Sequence, residues 1–176
     1  MITSRLAKNC ILAAVAMVPA FSSLYAADPA APSATVKIEP IGKNTANGMM
    51  TLSQVGQSVE IKGTLNGLTP GKHGFHIHEG RSCSNRGGHF HVGNAPHGAP
   101  DAAKELHHMG DLGNVVAGPD GSAQFAYTAK DISLTGANSV AGRVLVVHQG
   151  DDDLVSQPGG KSGEQIGCGV IKAAIQ

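Results

Sequence analysis

Short runs that alternate apolar and polar residues, each ended by glycine or a tight-turn sequence, commit this chain to an antiparallel β fold. Thr35-Val36-Lys37-Ile38-Glu39 alternates with period two, which in a strand puts Val36 and Ile38 on one face. Similar runs lie at 48–53 and 58–65, separated by Gly56-Gln57. A turn on Pro70-Gly71 leads into a strand at 74–79. Strands return at 114–117, 123–128, 143–149 and 169–173, the first two joined by Pro119-Asp120-Gly121. No window of useful length keeps a 3.6-residue period. Glycine makes up 24 of 176 residues, and each one inside a helix would cost roughly 1 kcal/mol. Two stretches, 80–111 and 151–164, carry no period; loops of that length in a small domain are usually functional. The expectation is an all-β antiparallel sandwich or barrel of about eight strands with two long functional loops.

The first 26 residues read as a secretory signal peptide rather than as part of the fold. Arg5 and Lys8 precede an apolar run at 11–18, and small residues end the segment at Ala26, the expected cleavage point. The run is too short to span a bilayer, so no stable membrane insertion is expected. Residues 27–34 form an Ala/Pro-rich tether, and 35–176 the folded domain. Export points to an oxidising compartment, where Cys83 and Cys168 can pair; the alternative is two buried thiols. The formal net charge of zero excludes a strongly basic nucleic-acid-binding surface.

All nine histidines lie in the span from His73 to His148. His76 and His78, two residues apart on a strand, share one face and can present two imidazoles to a single ion. His148 ends the apolar run 144–147 and can approach from a neighbouring strand. His89, His97, His108 and Asp111 fall in or at the end of the first patternless stretch, which ion binding could organise. Three imidazoles and a carboxylate satisfy a closed tetrahedral zinc site, and imidazoles in a flatter array suit Cu(II). Spacing alone assigns neither the ions nor the number of sites, and a histidine-rich surface that binds metal loosely is the plain alternative.

Gly74-Phe75-His76-Ile77-His78-Glu79, Gly87-Gly88-His89-Phe90, 108–114 (HMGDLGN), Val146-Val147-His148 and Cys168-Gly169-Val170-Ile171 occur in the order seen in copper/zinc superoxide dismutases. The chain resembles that family from about Thr35 to its end, and the short stretch between His78 and Cys83 resembles the exported bacterial branch. The resemblance implies an eight-stranded Greek-key barrel, a periplasmic location and dismutation of the superoxide anion, with a homodimer as the common assembly. It implies copper held by His76, His78, His89 and His148, and zinc held by His89, His97, His108 and Asp111. His89 would bridge the two ions as an imidazolate able to take up and return a proton. Cys83 and Cys168 match the family disulfide. Asp152 matches a carboxylate linking a copper histidine to a zinc histidine, His73 a buried structural histidine, and Arg143 is read as structural.

The sequence departs from the family pattern at Gln165, which stands where an Arg usually attracts the anion. Weakened guidance is the expectation, with Lys161, Arg81 or Arg86 able to substitute. His91 and His107 are further departures, read as partly exposed imidazoles or as added metal contacts. A copper- and zinc-storage protein on the same fold is the competing reading. A zinc hydrolase is disfavoured, because no carboxylate is evidently placed as a base beside an open zinc position.

Overall fold

The computed structural model describes residues 31–174, so the expected signal peptide lies outside them, as does the first half of the tether. The strands are β1 (Ser33–Pro40), β2 (Asn47–Val55), β3 (Ser58–Asn66), β4 (Gly71–His78), β5 (Asp111–Ala117), β6 (Ala123–Ala129), β7 (Val144–His148), β8 (Gln165–Val170) and the two-residue β9 (Lys172–Ala173). Helical structure among the described residues is one 3-10 turn, Lys104–Leu106. None of their helices is long and apolar enough to cross a membrane. The ladders are antiparallel, in the order β5-β4-β7-β8-β1-β2-β3-β6, with β9 paired to β1. The non-consecutive neighbours β3/β6 and β4/β7 are the Greek-key connections of a nearly closed eight-stranded barrel.

Alternation places the core. In β1, Ala34, Val36 and Ile38 are buried between exposed Thr35, Lys37 and Glu39. Val59, Ile61 and Leu65 of β3 and Phe75 and Ile77 of β4 meet them inside, where Phe75 and Phe125 pack edge to face at 4.9 Å. In β4 and β7 the in-and-out rule breaks, because His73–His78 of β4 and all of β7 are buried on both faces. The second face of β4 lies under the two long loops, and Val144 and Val146 of β7 pack with Ile41, Cys83, Cys168 and Val170.

Three boundaries differ from expectation. Ser33 and Ala34, assigned to the tether, belong to β1, and Ala34 is fully buried because it pairs with Leu52 and Ala173. Asp111 opens β5 instead of ending a loop, opposite His76 across an irregularity in the β4–β5 ladder. Gln165 opens β8, paired with His148. Period-two reading misses such ends because glycine and polar residues carry the backbone pairing there.

The first long loop is pinned rather than loose. Phe90 is buried; its N–H donates to Ile77 O at 2.8 Å, and the Arg143 guanidinium covers its ring at 3.9 Å. Gly110 passes so close to β4 that a Cβ there would lie 2.1 Å from Ile77 O. The Cys83–Cys168 disulfide ties this loop to β8.

Candidate metal centre

The β4–β7 register puts His76 opposite Val146 and His78 opposite Val144, so His148, two residues after Val146, projects from the same face. The first loop returns across that face and brings His89 beside His78 through an isolated bridge. The His89 ring stacks on His76 at 4.0 Å and stands 4.9 Å from His78, 5.3 Å from His97 and 5.4 Å from His108, centroid to centroid. Among the described residues, two groups of four could each hold a cation. One is His76, His78, His89 and His148; the other is His89, His97, His108 and Asp111. His89 is common to both.

Asp111 organises the second group. Its Oδ2 accepts the backbone N–H groups of Gly98 (3.1 Å) and His108 (2.9 Å). Its Oδ1 faces three ring nitrogens: His89 Nδ1 at 2.7 Å, His97 Nδ1 at 3.1 Å and His108 Nδ1 at 3.4 Å. With Nδ1 so placed, His89 has Nε2 left for the first group.

The outer nitrogens are occupied and the inner ones are not. His78 Nδ1 donates to Gly87 O (2.9 Å) and His148 Nδ1 to Gly163 O (3.2 Å). His76 Nε2 and His97 Nε2 each lie 2.8 Å from a different oxygen of Asp152. That leaves His76 Nδ1, His78 Nε2, His148 Nε2, His97 Nδ1 and His108 Nδ1 buried without a hydrogen-bond partner. A buried polar atom left bare costs about 1–3 kcal/mol, so five converging ones fit cation ligands. An imidazole donor set suits copper, and three imidazoles with a carboxylate suit zinc.

Protonation follows the same division. Burial holds His76 and His78 at about 3, against the pull of Asp152 on one and of Gly87 O on the other. Burial also holds His148 at about 4, so all three are neutral and ready to ligate at pH 7. At His97 burial is outweighed by the carboxylates of Asp111 and Asp152 beside the ring, which is pushed up to about 9. Asp111 also sits among opposing effects: burial raises it, but the rings of His108, His89 and His97 facing it hold it well below the usual carboxylate range. A cation taken up by the second group would therefore displace a proton from His97. The zinc affinity of the metal-free protein should rise about tenfold per pH unit from pH 7 to near 9 and then level off, as read by chelator competition. An affinity flat across that interval would refute a protonated His97.

Asp152 links the two groups. Asn114 clamps its backbone, donating from Nδ2 to Asp152 O (2.9 Å) and accepting from Asp152 N–H (2.8 Å). A Cβ on Gly160, whose φ is +65°, would lie 1.7 Å from Asp152 Oδ1, so glycine is required there. Asp152→Ala should weaken zinc binding by roughly 10–100-fold in the same titration, since His97 loses the partner that orients it.

The remaining expected residues sit as follows. His73 is buried, with its ring nitrogens 2.9 Å from His148 O and 2.8 Å from Thr69 O, bracing the His148 backbone. His91 is half-buried beside Glu79. His107, expected to be partly exposed, is buried: Nδ1 donates to His108 O at 2.7 Å, and Nε2 faces Asp131 at 3.5 Å, outside both groups. Gln165 lines a cavity of about 430 Å³ above His78, His89 and His148. Two participants were not visible in the sequence: Gly87 O and Gly163 O, which orient His78 and His148. A backbone carbonyl has no residue type to search for.

A β-barrel with two four-residue donor groups that share a single imidazole defines a candidate dinuclear metal centre. The family model for copper/zinc superoxide dismutase (SODC) matches residues 46–171. Among similar proteins is the extracellular superoxide dismutase [Cu-Zn] of Brugia pahangi, 41% identical over 138 residues, which cover 71% of this chain and 68% of the relative. The chain belongs to the copper/zinc superoxide dismutase family. It is an oxidoreductase that converts superoxide to oxygen and hydrogen peroxide, with copper and zinc as cofactors.

Proposed function

We propose that copper is held by His76, His78, His89 and His148, and zinc by His89, His97, His108 and Asp111, in a protein exported after removal of residues 1–26. One observation carries the assignment: the His89 ring belongs to both donor groups, with Nδ1 on Asp111 and its other nitrogen left for the imidazoles of β4 and β7. Bound copper supplies the one-electron couple that dismutation needs. The protein's own part is positional and protonic. With zinc held by His89 and Asp111 together, the ring would be kept in place from Nδ1 and could take up and return a proton at Nε2. His78 and His148 keep a fixed tautomer because Gly87 O and Gly163 O each accept their Nδ1 proton. Gln165 offers an amide at the cavity wall, so guidance from that position is by hydrogen bonding and not by charge.

The disulfide supports export, and the relative named above is an extracellular enzyme. The periplasmic, bacterial-branch reading rests on the short stretch between His78 and Cys83. The same reading carries a homodimer, which sedimentation equilibrium would check. The test of the assignment is metal content together with turnover. Protein reconstituted with both ions should hold one copper and one zinc per chain and lose activity on chelation. His148→Ala should abolish dismutation while keeping zinc. Tight binding of both ions without turnover would instead establish a storage protein.

A further inference from the structure

The substrate is an anion, yet the cavity above His78, His89 and His148 has one Lys or Arg among its lining residues, the exposed Lys161. The Lys161 side chain makes no hydrogen bond or ion pair among the described residues, so nothing there fixes its charge in place. Arg81 is exposed and lies against Gly142, away from the cavity lining. Arg86 differs from both. It is half-buried; its Nε donates to Gln165 Oε1, and its Nη1 donates to Cys83 O. No carboxylate among the described residues pairs with it, so its charge is not neutralised by an ion pair. Gly87 and Gly88, the two residues between Arg86 and His89, line the cavity, as does Gln165. Both anchors of the guanidinium are fixed, one beside the disulfide and the other on β8.

The contact also orients the Gln165 amide. With Oε1 engaged by Arg86, the Nε2 donors are at the end of the amide away from the guanidinium, and the cationic partner polarises them. We propose that Arg86 and Gln165 form one anion-capture unit, in which the guanidinium held behind the cavity wall supplies the charge and the amide supplies the hydrogen-bond donor. Arg86 acts through Gln165 and through its field, as a positioning residue, and the unit rests on the dismutase reading only for the identity of its anion.

Azide, a small monoanion, probes the unit without turnover, through the absorption change on binding to copper- and zinc-loaded protein. At low ionic strength Arg86→Met should weaken azide binding roughly five- to tenfold and flatten the salt dependence of kcat/KM for superoxide. Lys161→Met should change each by less than twofold. Gln165→Arg alone should gain little, while Arg86→Met combined with Gln165→Arg should restore both quantities to within about twofold of the parent. The proposal is overturned if Arg86→Met leaves azide affinity and salt slope unchanged, if Lys161→Met carries the loss, or if Gln165→Arg alone gives a large gain. Should Arg86→Met fail to retain its metals, the double variant decides: parental azide affinity supports the unit, and weak affinity with both metals bound refutes it. Azide binding that depends on Arg86 in a parent protein without dismutase activity would sink the catalytic reading and leave the capture unit standing.

Discussion

Replacing His89 with alanine is expected to abolish dismutation, a loss of at least about a thousandfold or roughly 4 kcal/mol of barrier. It should also weaken both cations together. The ring is the one side chain shared by the two donor groups, so its removal takes each from four donors to three. A four-donor site reduced to three is an open site, which exchanges its ion more readily. The scaffold should survive. Asp111 keeps the Gly98 and His108 N–H groups on Oδ2, and Asp152 keeps its contacts with His76 and His97. Metal-free His89→Ala should therefore melt within a few degrees of the metal-free parent while failing to hold one equivalent of each ion. Metal analysis after gel filtration, with a superoxide assay on the same sample, measures both effects. A variant that retained both ions and full turnover would show that the two groups work independently.

Cys83→Ser is expected to produce the largest loss of stability of any single change considered, about 4–5 kcal/mol, because the bridge closes a separation of 85 residues. For a domain of this size that corresponds to a fall in Tm of roughly 10–15 °C for the metal-free protein, measurable by scanning calorimetry. The damage should extend to the site. Cys168 is buried with Val144 and Val146, so the bridge fastens the loop carrying Arg86, Gly87 and His89 to the buried side of β7 and β8. Without it, Gly87 O is no longer held against His78 Nδ1, and copper affinity should drop more than zinc affinity. Equal Tm values for the variant and the parent would mean that the loop is secured by Phe90 and Gly110 alone.

Much of this was legible in the chain because the signals are local. Alternation in residues 35–39 and 58–65 needs one strand to express itself, and His76 and His78 share a face by the same two-residue period. The second face of β4 was not legible. The two-residue spacing shows that His76 and His78 share a face but not that the face is buried, which depends on the adjoining loop 80–111 and the distant loop 151–164 lying over it. His107 went astray for the same reason, since Asp131, from a distant part of the chain, closes over its ring.

The sequence by itself determined the β architecture, the turn positions and the supply of ligating side chains, since each follows from the chemistry of residues close together in the chain. Only the tertiary structure decided which nitrogen of each imidazole turns inward and that Arg86 rests on Gln165. Those facts depend on contacts between segments as much as 79 residues apart, fixed by strand register and by backbone carbonyls that no residue type announces.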